Sequence, residues 1–166
     1  MKKYLFRKYN DKYPKYFAQE RRKLIKFLGK SINIEHVGST AVPNLGGKGI
    51  LDLVIGAGAK NIDKIKKALI KMGYEFCPEA GTNKRLFFKR DIIYKSKSRR
   101  VHLHLTQIGG TNWFEFVGFR DYLLGQPDIV KKYITIKKRA VLKACGDGKK
   151  YRKYKEKFIA GILRRI

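Results

Sequence analysis

The sequence predicts an α/β (α+β) fold, with strands and helices mixed over about residues 1–108 and helices alone over about residues 109–166. Three patterns carry this reading. Residues 50–55 are an almost unbroken apolar run, as in a central strand covered on both faces. Residues 32–37 and 101–105 alternate apolar and polar side chains, as half-buried strands do. Apolar stripes at helical spacing occupy 12–28, 61–72, 111–124, 129–144 and 149–166. No repeat or flexible linker interrupts the 166 residues, so one domain is expected.

After a basic, aromatic lead-in, the first helix puts Tyr13, Phe17, Leu24 and Leu28 near one stripe and Arg21, Arg22, Lys23 and Lys26 on the wet side. Gly29 suits a left-handed cap. The strand at 32–37 runs into Gly38, Ser39 and Thr40, where the chain must turn, and residues 43–49 continue as a glycine-rich loop. The apolar strand follows. Asn61 is the expected N-cap of a helix built on Ile62, Ile65, Leu69 and Met72, with Gly73 as its stop. Residues 74–77 read as a short strand ended by Pro78. Residues 85–90 read as a longer one, extended by Ile92, Ile93 and Tyr94 into a hairpin with a basic tip at 95–100. Gly125 and Pro127 separate the helix at 111–124 from the next. Asp128 is expected to cap residues 129–144, with Ile129, Tyr133, Ile136, Ala140 and Ala144 inward. A Gly146-Asp147-Gly148 turn leads to the last helix, through Tyr151, Tyr154, Phe158, Ile159 and Leu163.

The chain carries 40 Lys+Arg against 13 Asp+Glu, a formal charge of +27. That excess attracts polyanions in bulk: nucleic acid, nucleotides or an anionic membrane surface. Compositional drift or thermal adaptation would leave the same excess. A hydrophobic fraction of 43% argues for a folded chain. Cys77 and Cys145 form no CxxC pair and no zinc spacing, which fits reduced thiols in a cytoplasmic protein. Arg7 and Lys8 break the apolar Tyr4-Leu5-Phe6 at once, and no run approaches the ~18 apolar residues of a membrane span. No signal peptide and no membrane insertion are expected.

Against this basic background, residues 31–58 hold one base, Lys48, and two acids, Glu35 and Asp52. Asp52 interrupts the apolar strand, where an unpartnered carboxylate is costly. Strand alternation places it on the face of Ile50 and Val54. The preceding Gly38-Ser39 turn can offer backbone N–H groups and a hydroxyl to a phosphate. The loop lacks the spacing and ending of a Walker A motif, although Lys48 can still reach a phosphate. In Val101-His102-Leu103-His104-Leu105, the two imidazoles share a face, ~7 Å apart along the strand. Such a pair can ligate a metal or sense a phosphate; equally, it can be two hydrogen-bonded histidines near a sheet edge. Glu35 and His36 point to opposite faces, and one of them looks inward with the turn.

Taken together, several blocks resemble the GrpB family, which is placed in the nucleotidyltransferase superfamily. The leading block is Ile34-Glu35-His36-Val37-Gly38-Ser39-Thr40-Ala41-Val42-Pro43, followed by Lys48-Gly49-Ile50-Leu51-Asp52. His102-Leu103-His104 resembles the family's central strand. Phe119-Arg120-Asp121-Tyr122-Leu123, then Pro127, Tyr133 and Lys137, resemble its helical signature, and Tyr151, Lys155, Phe158 and Ile159 its closing helix. The resemblance implies a nucleotidyltransferase-like mixed β-sheet flanked by helices, with a helical C-terminal part. It implies that Gly38 and Ser39 contact a triphosphate and that Asp52 is the catalytic acid and first metal ligand. Lys48, Arg120, Lys137 and Lys155 are phosphate partners by charge.

The sequence departs from the superfamily pattern where a second acid is expected two residues after Asp52. Val54 stands there. On the later strand His102 and His104 replace a third acid. One carboxylate and two imidazoles weaken the case for Mg²⁺, which prefers oxygen ligands, and leave room for Mn²⁺ or Zn²⁺; the cofactor expected overall is a divalent metal, Mg²⁺ or Mn²⁺ before Zn²⁺. Two functions follow as expectations. The first is binding of a nucleoside triphosphate with divalent metal and transfer of a nucleotidyl group to an acceptor. The alternative is a non-catalytic, basic protein that binds nucleotide, nucleic acid or another polyanion, with tyrosines on its basic helices available for stacking.

Overall fold

A computed structural model describes residues 5–94 and 96–166; Lys95, at the expected hairpin tip, lies outside the described residues. Strands β1 (Asn33–Val37), β2 (Leu51–Ala57), β3 (Glu75–Phe76), β4 (Arg85–Tyr94) and β5 (Lys97–Gln107) form one sheet in the order β1-β2-β5-β4-β3. The β2–β5 pairing is parallel and the other three are antiparallel, so the sheet is mixed, as the resemblance implies. Helices α1 (Tyr13–Leu28) and α2 (Ile62–Lys71) belong to the sheet part, and α3 (Thr111–Leu124), α4 (Pro127–Ala144) and α5 (Gly148–Leu163) follow it.

Period-two alternation decides what each sheet face meets. Leu51, Leu53 and Ile55 of β2, Val101, Leu103 and Leu105 of β5 and Phe88 of β4 form one core with Leu24 of α1 and Ile65 and Leu69 of α2. Each large side chain buried there contributes about 1.5–3 kcal/mol relative to exposure. Asp52, His102 and His104 occupy the alternate positions and therefore the opposite face.

A second core joins Val42 and Leu45, from the loop after β1, to Leu123 of α3, Val130 and Tyr133 of α4 and Ile162 of α5. The loop is thus anchored in the helical part, not in the sheet. Ala140, Ala144 and Tyr151 close a small third cluster between α4 and α5.

The element boundaries differ from expectation in places with clear causes. Helix α4 starts at Pro127 with Gln126 at the cap position, so Asp128 lies in the first turn and caps nothing. Proline's fixed φ suits the first helical position, where its missing N–H costs little. Asn61 stands at the cap of α2 but its side chain makes no capping hydrogen bond. Asp147 does cap α5, accepting from the Lys149 and Lys150 backbone N–H groups. Gly29 has φ 98° and ψ 166°, a positive φ without the left-handed helical ψ. β5 already begins at Lys97, so most of the expected basic tip is strand. In α4 the inward positions are Val130, Tyr133, Lys137, Ala140 and Ala144, which puts a lysine where the apolar stripe runs. Cys77 is buried and Cys145 exposed, and both are free thiols. Among the described residues no helix is long and apolar enough to cross a membrane.

Candidate functional site

The site begins where β1 ends. Gly38 has φ +70°, and a Cβ added there would lie 2.4 Å from Asp52 Oδ2 and 2.9 Å from Asp52 Cβ. Glycine is required twice over, for the backbone and for the space. The turn is fixed from the other sheet face. His36 Nε2 and Thr40 Oγ1 are 2.9 Å apart, and the imidazole stacks on Phe17 of α1 at 4.8 Å. Burial pushes His36 down to about 4, with Asp52 opposing and Arg120 adding to it, so the ring is neutral at physiological pH. His36 therefore looks toward α1, and Glu35 is the one on the Asp52 face.

Strand register then assembles the polar centre. Asp52 pairs with His102 and Val54 with His104 across the parallel β2–β5 ladder. His102 Nδ1 lies 3.4 Å from Asp52 Oδ1, and both side chains are about three-quarters covered, with 27% and 24% exposure. His104 is oriented differently: its Nδ1 is 2.8 Å from an Arg85 guanidinium nitrogen, and its ring lies 4.4 Å from Phe116 and 5.2 Å from Phe87. Burial pushes His104 down to about 3, with Asp52 opposing and Arg85 and His102 adding to it. Since the guanidinium is the donor, His104 Nδ1 accepts.

Three lysines from three elements lie near enough to Asp52 and to one another to feel each other's charge. Lys137 of α4 is 2% exposed and donates from Nζ to the Gly46 carbonyl. A Cβ on Gly47 would lie 2.6 Å from Ser39 Oγ and 2.9 Å from Lys137 Nζ, so the hydroxyl and the ammonium flank the same glycine. Lys48 of the loop and Lys155 of α5 lie over one ring, 4.5 and 4.4 Å from the Tyr151 centroid. Lys137 lies 5.1 Å from the Tyr133 ring. Cation–π contact stabilises each ammonium without neutralising it. Burial, with Lys155 and Lys48 adding and Asp52 opposing, pushes Lys137 down to about 7. Lys48 falls to about 8, through burial first and then Lys155 and Arg152. Lys155 also falls to about 8, through burial and Arg152. Asp52 is the acid that opposes all three shifts.

Arg120 occupies a different position from these lysines. Its guanidinium donates to Glu35 at 2.6 Å, to the His36 carbonyl at 2.9 Å and to Asp121 at 2.8 Å, tying α3 to β1. Glu35 and Asp121 are 41% and 54% exposed, so solvent screens these pairs and each contributes less than a buried charged hydrogen bond would. Arg120→Ala is expected to destabilise the chain by about 1–3 kcal/mol in urea unfolding, mainly by releasing β1 from α3.

The donor set bears on a metal. Among the described residues, no three of His, Cys, Asp and Glu converge to hold one. Asp52 and His102 are the adjacent pair, Val54 is apolar, and His104 Nδ1 faces Arg85. This set does not fit a resident divalent ion. An ion entering with a phosphate, which supplies most of its own oxygen ligands, would find Asp52 and His102 beside it.

Sequence reasoning did not foresee that Tyr133 and Tyr151 carry the lysines, or that Phe87, Phe116 and Arg85 enclose His104. One signal was available: Lys137 falls on the helical stripe shared by Tyr133, Ala140 and Ala144, a place where an apolar residue is expected.

The mixed sheet, with its turn packed against a strand-borne aspartate, has a nucleotidyltransferase-like fold. The chain aligns with the Cid1 poly(U) polymerase at a TM-score of 0.52 and 16% identity, over 74% of this chain and 40% of that one. The chain belongs to the GrpB family, whose model, described as GrpB protein, matches residues 5–165. It is similar to the solved structure of the conserved protein GrpB from Enterococcus faecalis, with a TM-score of 0.82 and 27% identity, over 97% of this chain and 96% of that one. It is also 26% identical to the glutamate-rich protein GrpB of Alkalihalophilus pseudofirmus, over 93% of this chain and 91% of that protein. The chain spans less than two thirds of the length of several other curated relatives.

Proposed function

We propose that this protein binds a nucleoside triphosphate, with the triphosphate on the Gly38-Ser39 turn and among Lys48, Lys137 and Lys155, and transfers its nucleotidyl group to an acceptor beside Asp52. The observation that carries the reading is the convergence of lysines from the loop, α4 and α5 on a glycine-lined turn next to one carboxylate. Like-charged groups held together in a buried place are costly unless a ligand of opposite charge completes them. The Cid1 structure that shares the fold has MgGTP bound, which supports a nucleotide as the ligand class.

In the transfer, an oxygen of the acceptor bonds to the α-phosphorus as the bond to the β-phosphate's bridging oxygen breaks, and pyrophosphate leaves. The lysines and Ser39 hold the charge of the departing group. The acceptor's proton passes to the Asp52–His102 pair, 3.4 Å apart on the open side of the sheet.

The test is calorimetric titration of ATP, GTP, CTP and UTP at 0.1 and 0.3 M salt, into wild type, Lys155→Gln and Lys67→Gln. Lys67 lies on the exposed side of α2 and serves as a charge control. The expected result is binding that survives 0.3 M salt, weakens at least tenfold in Lys155→Gln and is unchanged in Lys67→Gln. Equal, small effects of both substitutions would sink the pocket reading. In turnover assays with a competent acceptor, Asp52→Asn is expected to retain binding and lose transfer.

A second reading has its own observation. A groove of about 420 Å³ between α1 and the β4–β5 hairpin is lined by Arg22, Lys23, Gln19, Ile93 and Tyr94, far along the sheet from Asp52. A polyanion such as nucleic acid would suit it, with affinity falling steeply with salt and indifferent to Asp52. The stacking part of that expectation is narrowed by burial, because Tyr13, Tyr16, Tyr133 and Tyr151 are all in the core.

A further inference from the structure

Resting on the triphosphate reading above, we infer that this protein holds a polyphosphate with its own lysines and needs no divalent metal to bind it. In a metal-bridged site, paired carboxylates bind the ion and the ion binds the phosphates. Here the carboxylate positions are occupied by Asp52 alone, with Val54 and His104 in register on the neighbouring rungs. His104 cannot take over, because its Nδ1 accepts from Arg85 and its ring is enclosed by Phe87 and Phe116.

The charges that face the centre come from every surrounding element. The loop contributes Lys48, α4 contributes Lys137, α5 contributes Lys155 and Arg152, β2 contributes Asp52 and β5 contributes His102. Among the described residues, four bases face Asp52, while Glu35 on the same sheet face is already paired with Arg120, so the centre is net positive. A divalent cation there would be repelled by the ammonium groups, whereas a polyphosphate would be drawn to the same place. The ammonium groups are also held in position before any ligand arrives. Lys137 is anchored on the Gly46 carbonyl, and Lys48 and Lys155 share the Tyr151 ring. Preorganised charges need little rearrangement on binding. Lowered lysine pKa values near 7 and 8 mean that the anion would draw protons onto the site as it binds.

Asp52 has a particular place in this scheme. With no metal between them, its carboxylate repels the phosphate that a metal would have linked to it. At about pH 6, where the lysines keep their protons without Asp52's help, Asp52→Asn should therefore tighten binding, the reverse of its effect in a metal-bridged site.

The probe is inorganic tripolyphosphate, titrated calorimetrically at about pH 6 and 0.15 M salt into wild type, Asp52→Asn, Lys137→Met and Lys67→Gln, once in EDTA and once in excess Mg²⁺. The expected result is wild-type affinity in EDTA within threefold of that in Mg²⁺, at least tenfold weaker binding in Lys137→Met, no change in Lys67→Gln, and equal or tighter binding in Asp52→Asn in EDTA. Circular dichroism on Lys137→Met shows whether it is folded, and the Asp52→Asn arm decides the matter if it is not. Binding that appears only with Mg²⁺ and is lost in Asp52→Asn overturns the inference and leaves the triphosphate reading standing. No binding under either condition overturns both. Binding that weakens equally in Lys137→Met and Lys67→Gln also overturns the inference, as the mark of bulk surface charge.

Discussion

Gly38→Ala is expected to abolish polyphosphate binding and to lower the thermal midpoint on the order of 10 °C. Two effects add at this residue. The backbone is at φ +70°, where any side chain is strained, and the new methyl would stand 2.4 Å from Asp52 Oδ2. Strain and overpacking together cost about 2–4 kcal/mol, and for a chain of this size each kcal/mol moves the midpoint by roughly 2–4 °C. Relief requires either the turn or Asp52 to move, and because Asp52 is fixed in the central strand β2 the turn is the part expected to yield, which takes Gly38 and Ser39 away from the lysines. Gly29 is the natural control. It has φ +98° but nothing within 4 Å of an added Cβ, so Gly29→Ala carries strain without a clash. Differential scanning calorimetry of the two variants, with tripolyphosphate titration of each, should show destabilisation by backbone strain in both but loss of binding in Gly38→Ala alone. Equal behaviour of the two would mean that the contact with Asp52 does not matter.

The second large effect is on pH dependence. The ligand-free protein should grow more stable as pH rises from about 7 to 9. Lys137 titrates near 7 in the folded chain and Lys48 and Lys155 near 8, against 10.5 for an unperturbed lysine. Between those values the unfolded chain holds protons that the folded chain has released, so stability rises with pH across the window. Below pH 7 both states are protonated and the full cost of the clustered charge remains. The direction is unusual, since many proteins gain nothing above neutrality. Urea unfolding at pH 6.5, 7.5 and 8.5 checks it, and Lys137→Met should flatten the rise. Tripolyphosphate should stabilise most at the acidic end, where the ammonium groups are fully charged, and least at pH 8.5. A profile that falls steadily from pH 6.5 to 8.5 in the absence of ligand would contradict the clustered lysines.

Much of the fold could be read from the sequence because period-two and helical patterns fall on different segments. The strand at residues 101–105 and the helix at residues 111–124 are clear in this way. Boundaries were less visible. Pro127 begins α4 and displaces the expected Asp128 cap, because a proline at the first helical position competes with a side-chain cap further on. The candidate site was legible in part. Asp52 stood out as a carboxylate in an apolar run, and His102 as an imidazole on an alternating strand. Their adjacency depends on the parallel register of β2 against β5, two strands separated by 39 residues of chain, which no local pattern encodes. Arg120 shows the opposite limitation. Charge alone grouped it with Lys48, Lys137 and Lys155, but the partners that hold it, Glu35 and Asp121, depend on how α3 lies across β1. Lys137 was nearly visible, since a lysine in a stripe of small and aromatic residues is an anomaly at the level of pattern.

The anchoring of Val42 and Leu45 in the helical core has a practical consequence for dissecting the molecule. The segment that bears Ser39 and Lys48 is sequence-local to the sheet but mechanically a part of the helices. A fragment ending after β5 would keep every strand and the His36–Thr40 contact but lose the course of the loop beyond the turn, because Leu123, Val130, Tyr133 and Ile162 would no longer be there to seat Val42 and Leu45. The helical part works as a clamp on the loop as well as a source of ammonium groups. Grafting the strands and the Gly38-Ser39 turn onto another scaffold would therefore transfer the motif without the lysines and the loop packing around it, unless the three C-terminal helices travelled with it.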